Sequence, residues 1–384
     1  MIAGPGSVEA LREIVGGVER GRGRSPSFAV VHGGSLGNRP SGCTVLGALR
    51  GLEHATFVHR GTPTPASVAE LARSLREHRL DMVVAVGGGA VVDAAKAAAV
   101  LSGRAGLDAG ATIAACAERQ DGPPGAVVVA VPTTAGTGAE ATPFATIWDF
   151  AGGRKLSLAG RALLPYAAVL DPGLLEGLPL RVLAGGILDT IAQGAEAAWS
   201  KRSTVRSTAL GLRAVREAGA RLDLVAEGPL ELDDLAALQL AGHRSGQAIA
   251  IANTTACHAV SYALTLRYGL AHGHACGVAF GRLADFNAGV TPATCTDPRG
   301  AGRVRATVGR IADALGTVPG RVAPRLDEFL AAVDLPRLAD LDVDYARVAA
   351  DAASYPRCHD NPASFDGRLA EILAAPVQAA LACA

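Results

Sequence analysis

Short runs of consecutive apolar residues alternate with amphipathic segments in the first half of the chain. Four of these runs have the length of buried strands, at residues 27–32, 55–59, 81–86 and 125–131. Apolar positions at helical spacing predict two intervening helices, at about residues 67–78 and 90–101. Strands that are apolar on both faces and alternate with helices are typical of a parallel sheet. The first half is therefore predicted to be an α/β domain.

The pattern changes after Asp171-Pro172, where helical stretches follow one another and strands become rare. These predicted helices cover residues 187–200, 206–225, 232–252, 255–266, 273–287, 304–315 and 365–383. Prolines separate several of them. The sequence therefore predicts two domains, an α/β nucleotide-binding domain over residues 1–174 and an all-helical metal and substrate domain over residues 175–384. Ligands are expected in the cleft between two such domains.

Composition narrows the class of protein. Of the 384 residues 49% are hydrophobic, and 36 basic residues balance 36 acidic ones. This argues against a disordered chain and against a nucleic-acid-binding protein. No apolar stretch approaches the length of about 20 residues that is needed to cross a bilayer. Residues 1–20 contain charged residues within the segment that would be uncharged in a signal peptide. The seven scattered cysteines, without a CxxC motif, are expected to be thiols in the cytoplasm.

A glycine turn follows the third apolar run and opens a predicted helix. Gly87, Gly88 and Gly89 form this turn, and Asp93 lies in the helix after it. Glycines let a backbone approach a ligand closely, and the amino end of a helix favours an anion such as a pyrophosphate. The spacing differs from Gly-x-Gly-x-x-Gly, so the turn alone also fits an ordinary connection between strand and helix.

A second turn, rich in hydroxyl groups, follows the fourth apolar run. It contains Thr133, Thr134, Gly136, Thr137 and Gly138. Its hydroxyls and glycine amides offer hydrogen bonds to a ribose or a phosphate. The same residues also fit a threonine-capped helix entry. This turn by itself leaves both interpretations open.

Four side chains are candidates for a metal site. Asp189 and Gln193 are four residues apart, so on a helix they lie on one face. His258 and His272 are fourteen residues apart, and a short loop at Tyr268-Gly269 could bring both imidazoles to one point. Nitrogen and oxygen ligands with an open position suit a divalent ion that acts as a Lewis acid. Taken singly, each histidine also fits an ordinary core or surface position.

Together the two turns resemble the iron-containing, or group III, alcohol dehydrogenase family. Its signatures are Gly-Gly-Gly-Ser-x-x-Asp-x-x-Lys and Pro-Thr-Thr-x-Gly-Thr-Gly-Ser-Glu, and here both serines are alanine, Ala90 and Ala139. Further matches are Asp171-Pro172, the run from Gly186 to Glu196, and Asn361-Pro362. The resemblance covers nearly the whole chain.

This resemblance implies an NAD(P)-dependent alcohol dehydrogenase or aldehyde reductase with the dehydroquinate synthase-like fold of the family. The cofactor-binding residues are then expected at Gly33, Ser35, Gly87, Gly88, Gly89, Asp93, Thr133, Thr134 and Thr137. A divalent ion, Fe²⁺ or Zn²⁺, is expected on Asp189, Gln193, His258 and His272. Gln193 stands where the family has a histidine and is a weaker ligand, so the site is expected to be present but attenuated.

Residues near these ligands indicate a branch of the family. Tyr262 stands where many members have a second histidine; its hydroxyl could donate a proton, although filling space is the simpler interpretation. The segments 142–158 and 258–276 are similar to the phosphonoacetaldehyde reductases, which form 2-hydroxyethylphosphonate. A dianionic substrate needs cations. The candidates, each of which also fits a solvated surface charge, are Lys155, Arg202, Arg244 and Arg267.

The end of the first apolar run bears on the choice of cofactor. The family often has an aspartate there, which would repel the 2′-phosphate of NADPH. Gly33 occupies this position, and no carboxylate follows until Glu53. Ser35 and the glycine amides could bind the phosphate, with help from His32 if it is protonated. The sequence therefore predicts a preference for NADPH or tolerance of both cofactors.

Three other functions stay open on the sequence alone. The protein could act on another small aldehyde or alcohol, or it could be a lyase or cyclase of the dehydroquinate synthase type. It could also be a metal-depleted, non-catalytic binder. Sparse charge near His258 and His272 argues against the lyase, and the retention of Asp189 and both histidines argues against the binder. The resemblance also implies a homo-oligomer.

Overall fold

The computed structural model describes residues 1–22, 27–34, 36 and 40–377 of the chain. The chain divides into two compact units, Met1–Gly177 and Leu178–Ala384. The strands of the first unit are β1 (Ile2–Ala3), β2 (Phe28–Gly33), β3 (Ala55–His59), β4 (Met82–Gly87), β5 (Val127–Pro132), β6 (Phe144–Asp149), β7 (Arg154–Ala159) and β8 (Ala167–Leu170). Its helices are α1 (Leu11–Arg22), α2 (Pro40–Ala48), α3 (Pro65–Glu77), α4 (Gly89–Leu101) and α5 (Ala109–Ala115).

Six strands of the first unit form one parallel sheet in the order β1-β8-β5-β4-β2-β3. Val84 of β4 lies opposite Val30 of β2 and Val129 of β5, so the centre of the sheet is made of β-branched side chains. The α/β prediction for this half is confirmed. The chain runs outward from β2 to β3 and then returns to the other side of β2 as β4. Ligands of open α/β sheets bind at the carboxyl ends of strands where the order reverses in this way.

Helix α4 lies against this sheet through small side chains. Ala94, Ala95 and Ala98 are fully buried, and they belong to the same apolar cluster as Val83 of β4 and Leu75 of α3. Side chains of this size let a helix backbone come close to the strands while the interior remains close-packed. The close approach fixes the position of the amino end of α4 at the sheet edge.

Lys96 is a buried cation that joins α4 to the antiparallel hairpin of β6 and β7. Its side chain is fully buried, and its ammonium group donates to the carbonyl oxygens of Ala139, at 2.8 Å, and Phe144. Asp93, one turn earlier, accepts the amide of Thr146 at 2.9 Å and lies 3.4 Å from the ammonium group. Burial lowers the pKa of Lys96 and raises the pKa of Asp93, and their mutual attraction opposes both shifts.

The described part of the second unit is built from helices, as predicted. They are α6 (Leu180–Trp199), α7 (Val205–Gly219), α8 (Leu222–Glu227), α9 (Leu232–Ala252), α10 (Ala256–Tyr268), α11 (His272–Ala288), α12 (Ala301–Ala314), α13 (Val322–Ala332), α14 (Tyr345–Ala353) and α15 (Leu369–Ala374). No helix in the described ranges combines the length and the hydropathy that crossing a bilayer requires.

Two predicted helices are broken or shortened in the structure, and the helix expected over residues 187–200 begins earlier, at Leu180. The helix expected over residues 206–225 is broken between α7 and α8, because Arg221 has φ −113° and ψ 1°, outside the helical region. The helix expected over residues 365–383 begins only at Leu369, since Asp366 and Gly367 have positive φ angles of 48° and 80°. The part of that prediction at 378–383 lies outside the described residues.

Replacing the buried ammonium group should destabilise the protein. Lys96→Met keeps a long side chain but leaves the Asp93 carboxylate and the carbonyl groups without their donor. We expect a loss of about 3 to 5 kcal/mol in the free energy of unfolding, the typical cost of breaking a buried ion pair. Urea unfolding followed by circular dichroism measures this loss. Lys201→Met, in a turn after α6, is the matched control and should change stability by less than about 0.5 kcal/mol. Equal unfolding midpoints for both variants would contradict the role of Lys96.

Candidate active site

The glycine turn and the threonine turn meet at the carboxyl edge of the sheet. Gly88 precedes α4, and no side chain caps the first turn of that helix. A Cβ atom on Gly88 would lie 3.2 Å from the hydroxyl oxygen of Thr134, and one on Gly89 would lie 2.5 Å from that of Thr137. The two turns are therefore packed directly on each other, and this packing requires glycine independently of any ligand.

Other residues expected at the cofactor already have partners inside the unit. Asp93 binds Lys96 and the amide of Thr146, as described above. The amide of Thr133 donates to the carbonyl oxygen of Gly87 at 3.1 Å and continues the pairing of β4 with β5. These contacts hold the two turns in place. Ser35, also expected at the cofactor, lies outside the described residues.

Arg60 is a cation at the same edge that the sequence reasoning missed. It follows directly after β3, whose last residue, His59, pairs with Gly33 at the end of β2. A Cβ atom on Gly34 would collide with the Arg60 guanidinium group. Arg60 is exposed and forms no ion pair with a residue that the structure describes. Its proximity to Gly34 follows from the strand order, which the sequence alone does not reveal.

Four largely buried side chains of the helical unit converge on one point. Asp189 lies on α6, His258 in the first turn of α10, and His272 and Cys276 one turn apart at the start of α11. Their ligand atoms all lie within 4.8 Å of one another. Nε2 of His258 is 3.3 Å from Oδ1 of Asp189, and Nε2 of His272 is 3.9 Å from the same oxygen. We call these four residues the donor cluster.

The donor cluster contains ligand atoms that form no hydrogen bond and could bind a metal ion. Oδ1 of Asp189 and Nε2 of His258 are buried and have no hydrogen-bond partner, which is costly in a protein interior unless another group binds them. Carboxylate, imidazole and thiolate groups are all zinc ligands. A tetrahedral centre with bonds of about 2.0–2.3 Å places its ligand atoms roughly 3.3–3.8 Å apart. The observed separations are close to these values, so the donor set fits a divalent ion.

Glu196 fixes the orientation of His258. One of its carboxylate oxygens accepts a hydrogen bond from Nδ1 of His258 at 2.5 Å, which directs Nε2 toward Asp189. The other oxygen accepts the hydroxyl of Thr255 at 2.6 Å and the amide of Cys257 at 2.7 Å. Because that amide belongs to the first turn of α10, the same carboxylate also caps the helix. Sequence reasoning gave Glu196 no role, although its seven-residue spacing from Asp189 on a helix was a usable signal.

Gln193 and Cys276 have different surroundings in the structure. Gln193 lies one turn after Asp189 on α6, but its amide oxygen is 3.0 Å from the Ser245 hydroxyl in hydrogen-bonding geometry. Cys276, to which sequence reasoning gave no role, belongs to the donor cluster. The signal was its spacing of four residues from His272 at a helix start.

Charges in the donor cluster reinforce one another. Burial lowers the pKa of His258, but the negative charges of Cys276 and Glu196 outweigh it and hold that pKa well above the value of a free imidazole. Burial raises the pKa of Cys276, but its hydrogen bond with Cys257 and the positive charges of His258 and His272 outweigh it and hold that pKa well below 9.0. Protons held by such a cluster are exchanged for a metal ion when one binds.

Tyr262 joins the donor cluster to a cation. Its ring stacks on that of His272, with centroids 6.1 Å apart and planes 18° from parallel. Its hydroxyl accepts a hydrogen bond from Nη1 of Arg357 at 2.8 Å, and the guanidinium carbon lies 5.4 Å from the centroid of the tyrosine ring. Burial raises the pKa of Tyr262, and the charge of Arg357 opposes that shift. These contacts hold the ring in one orientation beside His272.

Two of the four predicted anion-binding cations already neutralise carboxylates. Arg244 forms an ion pair with Glu217, and Arg267 forms one with Asp351. A substrate phosphonate at either position would have to compete with a neighbouring negative charge. Neither arginine is therefore a free cation in this structure.

The remaining predicted cations occupy different surroundings. Arg202 is exposed in the turn after α6, and Lys155 of β7 is buried beside the hydroxyl of Ser157. Arg357, which sequence reasoning missed, forms no ion pair with any described residue. It lies four residues before Asn361, whose amide pairs with the amide of Asn287 on α11 at 3.0 and 3.1 Å. The family match at Asn361-Pro362 could therefore have drawn attention to the segment that contains Arg357.

Comparison with known proteins places the chain in a family. Residues 1–172 match the family described as iron-containing alcohol dehydrogenase, and residues 183–373 match the C-terminal region of the Fe-containing alcohol dehydrogenase family. Over 346 residues the chain is 52% identical to phosphonoacetaldehyde reductase from Streptomyces viridochromogenes, covering 89% of this chain and 88% of that protein.

Solved structures share the fold over nearly the whole chain. Sulfoacetaldehyde reductase from Bifidobacterium kashiwanohense, in complex with NAD⁺, has a TM-score of 0.79 at 21% identity and covers 97% of this chain and 95% of that one. A 1,3-propanediol oxidoreductase has a TM-score of 0.81 at 22% identity, with coverage of 97% and 96%. The fold and the resemblance inferred from the motifs are confirmed, and the chain belongs to the iron-containing alcohol dehydrogenase family.

Proposed function

We propose that this protein reduces an aldehyde to a primary alcohol with NAD(P)H and a divalent ion. The substrate we propose is phosphonoacetaldehyde, and the product is 2-hydroxyethylphosphonate. The observation that carries the proposal is the donor cluster, in which buried Asp189 and His258 have ligand atoms without partners. Similarity to phosphonoacetaldehyde reductase along most of the chain supports the substrate.

The residues of the helical unit would have two roles at the reacting carbonyl: some bind the metal ion, and Glu196 orients one of its ligands. Asp189, His258 and His272 would hold the ion, with Gln193 and Cys276 as the candidates for a further ligand. When bound, the ion supplies Lewis acidity toward a carbonyl oxygen, and the nicotinamide supplies the hydride. Glu196 keeps the proton of His258 on Nδ1 and leaves Nε2 as the ligand atom.

The cofactor site we propose lies at the carboxyl edge of the parallel sheet. The amino end of α4 would bind the pyrophosphate, and Thr134 and Thr137 would offer hydroxyls beside it. Gly33 leaves no carboxylate to repel a 2′-phosphate, and Arg60 adds a cation next to Gly34. An arginine near this position accommodates NADP in dinucleotide folds. We therefore propose a preference for NADPH.

Arg357 is the residue that we propose binds the phosphonate group. Its Nη1 is occupied by the hydroxyls of Tyr262, at 2.8 Å, and Thr254, at 2.6 Å. Its Nε and Nη2 atoms make no hydrogen bond with a described residue, so one edge of the guanidinium fork stays available for a phosphonate. Tyr262 connects this cation directly to His272 of the donor cluster. A cation at this place suits an aldehyde that carries its negative charge at the other end.

The alternatives receive less support. Another small aldehyde, without a negative charge, would leave Arg357 without an anionic partner. A lyase or cyclase of the dehydroquinate synthase type would need a denser set of cations than the donor cluster has around it. A non-catalytic binder would not need buried ligand atoms without hydrogen-bond partners at Asp189 and His258.

Location and assembly are also proposals. All six cysteines in the described ranges are free thiols, which supports the expected cytoplasmic location. The expected homo-oligomer stays a prediction, and light scattering of the purified protein would determine its state.

Protein loaded with Fe²⁺ or Zn²⁺ should oxidise NADPH when phosphonoacetaldehyde is present. Nicotinamide absorbance gives the rate, and phosphorus NMR identifies the alcohol product. Chelated protein and the His272→Ala variant should both lack the metal. Their activity should fall at least about 100-fold, which corresponds to an activation barrier higher by about 2.7 kcal/mol. Metal-loaded protein that does not oxidise NADPH when phosphonoacetaldehyde is present would contradict the proposal. Consumption of a substrate without NADPH oxidation would favour a lyase.

Two variants test the cofactor preference. Arg60→Ala should lower kcat/KM for NADPH about tenfold, or about 1.4 kcal/mol, and leave kcat/KM for NADH nearly unchanged. Gly33→Asp should shift the preference toward NADH, and its side chain has room because a Cβ there meets only Val91, at 3.5 Å. NADH serves as the internal control for both variants. A wild-type protein that prefers NADH tenfold would contradict the assignment.

Removal of the Arg357 charge should harm only phosphonate-bearing substrates. For Arg357→Met we expect kcat/KM for phosphonoacetaldehyde to fall roughly 100-fold, about 2.7 kcal/mol, while kcat/KM for acetaldehyde stays within about threefold. Arg267→Met is the matched control, because Arg267 is already paired with Asp351. Equal losses for both aldehydes would show that Arg357 supports the fold of the site and does not bind the phosphonate.

A further inference from the structure

We infer that Cys276 is the fourth protein ligand of the metal ion, in the place that Gln193 was expected to fill. The complete ligand set would then be Asp189, His258, His272 and Cys276. This inference rests on the metal site proposed above and specifies its chemistry. It makes the site a mixed oxygen, nitrogen and sulfur centre.

The position of Cys276 supports this assignment. It lies one turn after His272 on α11, so both side chains project from the same face of the helix. Its Sγ atom is 3.9 Å from Nε2 of His272, and it lies within 4.8 Å of the ligand atoms of Asp189 and His258. A tetrahedral centre with bonds of about 2.0 Å to nitrogen and about 2.3 Å to sulfur separates these two ligand atoms by roughly 3.5 Å. The separation of Sγ from Nε2 of His272 is therefore a few tenths of an ångström longer than this value, and the sulfur is close enough to complete the ligand set.

A second observation supports a bound ion between these side chains. Asp189 and His258 are 1% and 3% exposed, and one ligand atom of each has no hydrogen-bond partner. Both atoms belong to the group that includes the Cys276 sulfur. Native interiors rarely leave buried polar atoms unpaired without a bound group to satisfy them.

Gln193 is the weaker candidate for the same role. Its amide oxygen, the only atom of its side chain that ligates metals well, already has the Ser245 hydroxyl at 3.0 Å. An amide oxygen is neutral, whereas a thiolate brings charge and a softer donor atom that zinc binds strongly. The side chain of Gln193 is thus accounted for by its contact with α9.

Cys257 supplies a matched comparison, because it is equally buried and lies on the adjoining helix. Its thiol donates to the carbonyl oxygen of Cys276 at 3.3 Å. It also lies near Glu196 and Nδ1 of His258, but the carboxylate oxygens there already accept three hydrogen bonds. That neighbouring group has no unpartnered atom for an ion to bind, so Cys257 is not expected to be a ligand.

Cobalt makes the sulfur ligand visible. Metal-free protein is loaded with Co²⁺, and the bound cobalt per chain is counted by elemental analysis. A thiolate on Co²⁺ gives a near-ultraviolet charge-transfer band that oxygen and nitrogen ligands do not produce. We expect this band in the wild type and in Cys257→Ser, and its loss in Cys276→Ser. Circular dichroism checks that each variant is folded.

Zinc affinity provides a second measurement. Competition with a chromophoric chelator should show that Cys276→Ser binds Zn²⁺ at least about 10-fold more weakly than the wild type. Gln193→Leu should stay within about threefold. The opposite ranking would overturn the inference and restore Gln193 as the ligand.

The outcomes separate this inference from the proposed function. One Co²⁺ per chain without the band in the wild type, or a band that persists in folded Cys276→Ser, would overturn the role of Cys276 and leave the metal site intact. Wild-type protein that binds neither Co²⁺ nor Zn²⁺ would overturn the metal site itself. If Cys276→Ser does not fold, a wild-type band that survives in Cys257→Ser still supports Cys276.

Discussion

The buried carboxylate of Glu196 is the group on which the helical half of the site depends. It accepts hydrogen bonds from the amide of Cys257, the hydroxyl of Thr255 and the ring of His258. A single side chain on α6 therefore sets both the start of α10 and the orientation of an imidazole. The indole of Trp199, three residues further on α6, donates to the same Thr255 hydroxyl at 3.1 Å. Helix position and ligand orientation are coupled here, so neither can change alone.

In the α/β unit, too, one buried charged side chain holds separate segments together, but there the charge is positive. Lys96 is as buried as Glu196, and it likewise joins a helix to a segment distant in sequence. In both units the charged group is satisfied by several hydrogen bonds, which is the condition under which burial of a charge is tolerated. These hydrogen bonds offset the cost of desolvating the charge. They also fix the positions of the turns that are rich in glycine or that begin helices.

Sequence reasoning succeeded where the signal was local. The apolar run at 55–59 and the helical period at 232–252 reproduce β3 and α9 with their bounds. β3 is an edge strand in which burial alternates from residue to residue, and α9 buries one stripe, and both arrangements leave a periodic pattern in the sequence. The hairpin of β6 and β7 was missed because it lies outside the main sheet and has no long apolar run. The family motifs identified the two turns, and of the four predicted metal ligands the structure brings Asp189, His258 and His272 together.

Residues that act through tertiary contacts were beyond that reasoning. Arg60 is 26 positions from Gly34, and only the pairing of β3 with β2 brings them together. Arg357 reaches the donor cluster through Tyr262, an aromatic contact with no trace in the spacing of either residue. Cys276 was the exception, since a separation of four from His272 could have been read as one helical face. When one expected metal ligand is absent from a sequence, residues four positions from the remaining ligands on a helix are candidates to replace it.

The attachment of the hairpin to α4 bears on how this part of the molecule opens. A two-stranded hairpin is only marginally stable in isolation, and Ala145, Ile147 and Leu158 are buried in the same apolar cluster as α4. Lys96 and Asp93 add bonds from the helix to the first strand of the hairpin. The hairpin and α4 therefore form one cooperative unit, whose amide hydrogens exchange with solvent through a shared opening rather than by fraying strand by strand. The glycine turn at the amino end of α4 then gains its rigidity from a segment more than fifty residues away.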